Sequence, residues 1–387
     1  MKLRTLTAAK VAGCRVLVTA ELNVARDARG RIVDDSRLRA VLPTLTWLRK
    51  RGARIVIATH LGRPNGRVVR HLSTRSLVRP LSKALRTPVK WIDESVGPSV
   101  VQMSHRLAPG GILLLENTRF HRGDELNQVA YAKALAANAD CFVLESFGTA
   151  HRRHASIVGV GKFLPAYAGL RLAAEVQQLS AVISRPSRPF VAVVGGAKIS
   201  TKLGLLAKLL PRVDALLLGG ALANTILQAQ GLQIGRSLTE ASMLRKVRTL
   251  KLTNPKLHVP VDVVVRSRRG RVHIRAVGGV RPDESILDIG PDTVALYSAV
   301  IKTARTIVWN GPLGKYEERP FDAGTKAIAR FVARSRAHSL AGGGETVDAI
   351  RSQGLERSID FLSTGGGAML EFLEGTRLPG VDLVRTP

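Results

Sequence analysis

Two kinds of short segment in this 387-residue chain combine residue types that could do chemistry, and they are segregated along its length. The first kind is rich in glycine. PFVAVVGGAKISTK places Gly195 and Gly196 after an apolar run, with Lys198 and Lys202 four apart and expected on one face of the helix that follows. AGGGET carries Gly342, Gly343 and Gly344, and STGGGA carries Gly365, Gly366 and Gly367. Glycine lets backbone amides approach an anion with no side chain between, and amides at a helix start flanked by ammonium groups form a phosphate cradle. One such turn only reverses the chain; three in the same half point to a nucleotide. Neither GxxxxGKS/T nor GxGxxG is present, so the cradle is not of the P-loop or dinucleotide type. The second kind of segment is cationic. His60 and Arg63 lie in THLGRP, Arg119 and His121 in ENTRFHRG, His151, Arg152 and His154 in FGTAHRRH, and Arg37 opens a helix after VDD. Brought to one sheet edge, these groups would make a pocket for a small polyanion that arginine grips bidentately.

An anion pocket in one half and a phosphate cradle in the other imply phosphoryl transfer across a cleft. Such a transition state needs alignment and charge neutralisation more than a covalent catalyst, which suits a chain without a nucleophile motif. A carboxylate should hold Mg²⁺ against the nucleotide phosphates, and Glu345, directly after the GGG turn, is the candidate.

The elements that must position these residues follow one rhythm: a short Val/Ile/Leu-rich run, then glycine or aspartate, then a longer stretch with helical spacing. CRVLVTA, ARIVIATH, GILLLE, DCFVLES, PFVAVVGG, DALLLGG, TIVWNGP and HSLAGGG are the runs. Continuous apolar runs of this kind are buried parallel strands covered on both faces by helices. SRLRAVLPTLTWLRKRG, NQVAYAKALAANA and TKLGLLAKLLPRV read as amphipathic helices between them. The expectation is α/β: two doubly wound, Rossmann-like lobes with mostly parallel sheets, and the active site in the cleft. GLRLAAEVQQLSAVISRPSRP, apolar on one face and ending in two prolines, reads as the helix joining the lobes. The basic stretch LRKVRTLKLTNPKLHV followed by VVVRSRRGRVHIRAV reads as a solvated hairpin turning at Arg269-Gly270.

Composition bounds the rest. At about 150 residues per domain, the length and 45% apolar content suggest two or three cores. The 59 Lys+Arg against 29 Asp+Glu leave a formal charge of +30, which favours anionic partners without choosing among them. The two cysteines, Cys14 and Cys141, sit among apolar residues and read as reduced, buried thiols; they offer neither a disulfide framework nor a thiolate cluster. No apolar run of about 18 residues or secretory start appears, so the expectation is a soluble cytoplasmic protein without membrane contact.

Through VDDSRLRAVLPTL, THLGRPNG, LLLENTRFHRGDE, FGTAHRRHAS, VVGGAKISTKLG, TIVWNGPLG, FDAGTKAIA and FLSTGGGAMLEFLEG, in this order, the chain resembles the phosphoglycerate kinase family over essentially its whole length. The resemblance implies reversible, Mg²⁺-dependent phosphoryl transfer between ATP and the carboxylate of 3-phosphoglycerate, giving 1,3-bisphosphoglycerate in glycolysis, by a hinge-bending monomer. It implies an acid-substrate lobe at residues 1–166, a connecting helix and turn at 167–187, a nucleotide lobe at 188–368, and a segment at 369–387 returning to the first lobe. The acid substrate would be held by Glu21, Asn23, Arg37, His60, Arg63, Arg119 and Arg152. Arg37, Lys198 and Lys202 would surround the phosphoryl group in flight, helped by amides near Gly344 and Gly366. The nucleotide would meet Gly196, Lys202, Gly219, Gly220, Leu287, Asn310, Pro312 and Glu317, with Gly343, Gly344, Glu345 and Thr346 of the AGGGET turn. Three departures stand out: the usual DFNVP reads ELNVA, the usual NDAFG reads LESFG, and Glu345 stands where Asp is typical. Two alternatives follow from the residues. One is a catalytically weakened kinase-like protein binding nucleic acid unspecifically through its charge, by counterion release; the other is a kinase for a different small acid.

Overall fold

The computed structural model describes residues 1–27 and 29–386; Pro387, last of the segment expected to return to the first lobe, lies outside the described residues. The chain forms two compact units, Met1–Ser180 joined by the C-terminal segment from Arg377, and Ala181–Thr376. The helix Leu170–Ser184 runs across the sequence boundary between them.

The first unit is built on strands β1 (Arg15–Ala20), β4 (Arg54–Ala58), β5 (Val89–Trp91), β6 (Ile112–Leu114), β7 (Cys141–Glu145) and β8 (Ala166–Ala168), with a small antiparallel ribbon of β2 (Ala25–Arg26) and β3 (Ile32–Asp34). The six main strands pair in the order β5-β6-β4-β1-β7-β8, every pair parallel. All five positions of β7 are buried, as a strand covered on both faces requires. The helix Ser36–Lys50 covers one face through Leu38, Val41, Leu45 and Leu48, the three-and-four spacing that puts one stripe inward. Each such side chain contributes about 1.5–3 kcal/mol of burial. The chain terminus belongs to this unit: Arg4 N donates to Val384 O at 2.7 Å, and Gly380 N to Ala150 O at 2.8 Å.

The second unit repeats the plan with β9 (Phe190–Val194), β10 (Ala215–Leu218), β11 (Leu257–His258), β15 (Thr306–Asn310), β16 (His338–Gly342) and β17 (Phe361–Ser363), ordered β11-β10-β9-β15-β16-β17 and again all parallel. Its core gathers Tyr297, Ile301, Ile328 and Val332 against Trp309. The Tyr297 hydroxyl, fully buried, donates to Leu218 O at 2.7 Å, so its polar end is satisfied within the apolar layer.

Beside this sheet stands a three-stranded antiparallel sheet of β12 (Asp262–Ser267), β13 (Val272–Ala276) and β14 (Glu284–Ile289), ordered β13-β12-β14. The hairpin turns at Arg269-Gly270 as the sequence suggests, with Gly270 at φ +81°. The stretch before it departs from the expectation: LRKVRTLKLTNPKLHV supplies a short helix, Leu244–Val247, and the edge strand β11 instead of a hairpin arm. Val247 and Leu250 are buried, and that anchors it as a packed element. Nor is the hairpin only a solvated excursion, because Val263, Val265 and Ile286 pack with Leu227, Ile234 and Val280. Both cysteines are free thiols; Cys141 is buried, whereas Cys14 is only half-buried. Among the described residues no helix is long and apolar enough to cross a membrane.

Candidate functional site

In open parallel sheets ligands collect outside the carboxyl ends of the strands, where chain order reverses. That point in the first sheet is β1, flanked by β4 and β7. Glu21 follows β1 directly and is buried; its Oε2 accepts from Ser146 Oγ at 2.6 Å, and its Oε1 lies 3.5 Å from Arg37 Nη1. The same Arg37 nitrogen donates to Asn23 O at 2.6 Å. Asn23 Oδ1 accepts from Gly62 N at 2.9 Å, and Arg119 Nη1 donates to Gly62 O at 3.1 Å, so the loop carrying His60 and Arg63 is tied at both backbone groups of Gly62. Burial holds the His60 imidazole well below its usual pKa, and the positive fields of Arg119, Arg37, His154 and Arg152 push in the same direction. Those four groups therefore converge on His60. The Arg119 guanidinium is itself buried, with Glu125 3.8 Å from its Nε. Arg152 and Arg63 are exposed, and His121 lies against the Tyr131 ring at a 5.3 Å centroid distance. Glu21 and Glu125 offset part of this charge, and the exposed Arg63 and Arg152 are left at the surface of the cluster, where an anion could meet them.

Glu145 of LESFG takes a different part. Its carboxylate accepts from Thr44 Oγ1 at 2.6 Å, Arg171 N at 3.0 Å and Leu172 N at 3.3 Å, capping the helix Leu170–Ser184. Burial pushes its pKa up to about 7.

In the second sheet the reversal falls at β9, between β10 and β15, where three glycine-bearing loops interlock. Gly195 N donates to Asn310 O at 3.0 Å, Gly196 N to Pro312 O at 2.8 Å, and Gly220 N to Leu313 O at 2.7 Å. A Cβ on Gly220, which has φ +67°, would lie 2.8 Å from Gly196 N, so only glycine allows this approach. The loops border a cavity of about 220 Å³. Gly196, Gly220, Leu287, Pro312, Glu317 and Glu345, all named from the sequence, line it. Gly219, Asn310 and Thr346 lie behind that wall: Asn310 Nδ2 donates to Gly342 O at 2.8 Å, and the fully buried Thr346 accepts from Gly311 N at 2.6 Å. Gly343, at φ +98°, opens the eight-residue helix Gly344–Arg351, and Gly366, at φ +47°, opens Gly367–Leu373.

The lysines do not share a helical face. The helix begins at Leu203 with Lys202 as its N-cap residue at φ −126°, while Lys198 lies in the preceding turn and is exposed. That turn is held by Glu240, which accepts from Ser200 N at 2.8 Å and Ser200 Oγ at 2.6 Å, and the helix is wound only after it. Lys202 folds inward instead, donating to Gly195 O at 2.5 Å and to Asn310 O at 3.2 Å. Burial pushes its pKa down to about 8, opposed by the Glu345 carboxylate.

Among the described residues no group of three or more His, Cys, Asp or Glu side chains could hold a metal. An exposed Glu345 on the cavity wall fits a cation carried chiefly by ligand phosphates, because Mg²⁺ is usually held by one or two carboxylates plus phosphate oxygens and water. Sequence reasoning missed Asp288, at the end of β14 on the same wall. Its carboxylate accepts from Gly324 N at 2.7 Å and Ile289 N at 2.9 Å, and burial raises its pKa to about 7. The apolar-run signal could not find it, because ESILDI is bounded by charge.

Comparison with known proteins agrees with this arrangement. A family model described as phosphoglycerate kinase matches residues 6–376. A phosphoglycerate kinase of Thermomicrobium roseum is 47% identical over 98% of this chain and 98% of its own length, and one of Caulobacter vibrioides 42% identical over 98% and 99%. The solved structure of phosphoglycerate kinase from Coxiella burnetii superposes with a TM-score of 0.88 at 39% identity, covering 99% of this chain and 98% of that one. That of Pyrococcus horikoshii gives 0.87 at 31%, covering 98% of each. With both sheets, the glycine loops and the arginine-bearing strand ends in place, the chain belongs to the phosphoglycerate kinase family.

Proposed function

We propose that this chain transfers a phosphoryl group reversibly between ATP and the carboxylate of 3-phosphoglycerate, the first unit holding the acid and the second the nucleotide. Membership of the family makes it a phosphotransferase with a carboxyl acceptor, and does not favour the nucleic-acid reading. The single observation that supports the division of labour is the pairing of site types: a cation cluster with a neutral His60 in one unit, and a glycine-walled cavity in the other.

His60, Arg63, Arg119 and Arg152 bind and orient the phosphorylated acid, with Asn23 fixing the loop between the first two. Glu21 and Asn23 both engage Arg37 at Nη1, so its guanidinium is oriented before substrate arrives, and pre-set charge costs no reorganisation at the moment of transfer. Leu287 and Pro312 form apolar wall for the base, Glu317 meets the ribose, and Gly196 and Gly220 give the phosphates close backbone. Lys198 and Lys202, with amides at Gly344 and Gly366, neutralise charge that spreads over the transferred group. Glu345 would hold Mg²⁺, which supplies further neutralisation of the nucleotide phosphates when bound. The setting is a cytoplasmic monomer.

The test is a coupled assay with 3-phosphoglycerate, ATP and Mg²⁺. Turnover is expected, and Arg37→Ala should lower kcat far more than it raises either KM, because the group acts chiefly on the transition state. No turnover by the parent, or an Arg37→Ala variant with parental kcat, overturns the assignment.

A further inference from the structure

Asn117, in the ENTRF segment, is uncharged and fully buried, yet both protons of its amide NH₂ are spent on loops distant in sequence. Its Nδ2 donates to Leu61 O and to Leu72 O, each at 2.9 Å, and its Oδ1 accepts from Arg119 N at 3.1 Å. An amide NH₂ has two protons, and here each serves a different loop. The backbone N of Asn117 donates to Glu116 Oε1 at 2.6 Å, while Glu116 also accepts from Thr74 N at 2.8 Å and Ser73 Oγ at 2.7 Å. The loop of Leu72 to Thr74 is thereby held against the end of β6. The other loop, at Leu61, lies between His60 and Arg63. Its Gly62 has φ +61°, and a Cβ there would press on Leu72 at 2.9 Å, so the two loops sit at their closest approach.

We propose that Asn117 is a positioning residue for acid-substrate binding: by bridging the carbonyls of Leu61 and Leu72 from the base of Arg119, it fixes the spacing at which His60, Arg63 and Arg119 meet one phosphorylated acid. The inference rests on the reading of this cluster as the acid-substrate site. No other side chain of this size meets the demand. Aspartate would aim a carboxylate oxygen at two carbonyls, and serine reaches with a single donor. An unmade bond at a carbonyl shielded from water is costly, and Leu61 is buried and Leu72 half-buried, so the loops would shift to find water or another donor.

Asn117→Asp, nearly isosteric, is the direct test in the full chain. Calorimetric titration with 3-phosphoglycerate should show binding at least roughly tenfold weaker, with a matching rise in its KM, while the KM for ATP stays within about twofold. A merely structural role would lower thermal stability and leave the two KM values in their parental ratio. Should the buried carboxylate prevent folding, Asn117→Ser carries no charge and keeps one donor, and the same criterion applies. A folded variant of either kind that binds 3-phosphoglycerate within about twofold of the parent overturns the proposal. Parental failure to bind 3-phosphoglycerate overturns both this inference and the functional reading; parental binding with unchanged variant binding overturns the inference alone.

Discussion

Replacing Lys202 by methionine separates what that side chain costs the fold from what it does for a ligand. Its ammonium is buried against Gly195 O at 2.5 Å and Asn310 O at 3.2 Å, and burial brings the pKa from 10.5 down to about 8. That interval corresponds to about 3 kcal/mol by which the folded chain disfavours the charged form relative to the unfolded chain. Below about pH 8 both states carry the proton and the penalty is fully present. Between about pH 8 and 10.5 the unfolded chain keeps a proton that the folded chain gives up, so stability rises with pH; above that interval nothing remains. From about pH 7 to about 9.5 the contribution amounts to roughly 2 kcal/mol of added stability, and Lys202→Met should lack it.

At pH 7 the substitution removes the penalty but strips a donor from two buried carbonyls, each worth about 1–3 kcal/mol when unpaired. Asn310 O retains Gly195 N as a partner at 3.0 Å, so the two effects should nearly cancel. Urea unfolding of parent and variant at the two pH values is the assay, since all other titrating groups are common to both proteins and drop out of the difference. The expected outcome is near-equal stability at neutral pH and a variant less stable by about 2 kcal/mol at the alkaline value. A difference that does not change with pH refutes the argument. The same displacement predicts proton uptake on nucleotide binding near pH 8, because a phosphate beside the ammonium favours its charged form.

Lys198→Ala should lower kcat by about a hundredfold or more, as removal of one charge-stabilising donor does elsewhere; because the side chain is exposed, unfolding should stay within about 0.5 kcal/mol of the parent. Activity near the parental value would remove Lys198 from the transfer step. Glu345→Gln should raise the Mg²⁺ concentration needed for half-maximal rate and leave the KM for 3-phosphoglycerate unchanged; an unaltered Mg²⁺ requirement would place the metal elsewhere.

How much of this was legible depends on where each signal lives. The eight apolar runs became β1, β4, β6, β7, β9, β10, β15 and β16, because a strand buried on both faces leaves continuous hydrophobicity in the sequence. The short edge strands β5, β8, β11 and β17 did not show, since two or three residues carry no period. Glycines were readable because positive φ or close approach leaves few other residues able to stand there, as at Gly220 and Gly343. Side-chain direction was not. Helical spacing suggested one face for Lys198 and Lys202, but the helix starts only at Leu203, and the turn before it is tied to Glu240, distant in sequence. Asp288 and Asn117 were invisible for a related reason: their importance lies in backbone groups of other loops, and no local pattern records those.

Two of the three departures from the family's usual wording are physically coupled. In ELNVA the carboxylate of Glu21 reaches one methylene further than an aspartate would, and in LESFG the residue after Glu145 is a serine rather than the usual alanine. The structure joins the two changes: Ser146 Oγ donates to Glu21 Oε2 at 2.6 Å, and the Thr149 hydroxyl, 2.6 Å from Ser146 Oγ, completes the chain. The longer acid is thus received by a hydroxyl that exists because a second position changed, and its other oxygen remains 3.5 Å from Arg37. Glu21→Asp alone should leave the serine hydroxyl with Thr149 as its remaining partner, and Ser146→Ala alone should strand a buried carboxylate oxygen. A double-mutant cycle should therefore show a coupling of about 1.5–3 kcal/mol in unfolding free energy, the range for a hydrogen bond to a charged group. Glu21→Asp with Ser146→Ala together should recover part of any rise in the KM for 3-phosphoglycerate, since no carboxylate is then left reaching for a missing hydroxyl. Strict additivity of the two substitutions would mean that the hydroxyl and the carboxylate are neighbours without consequence.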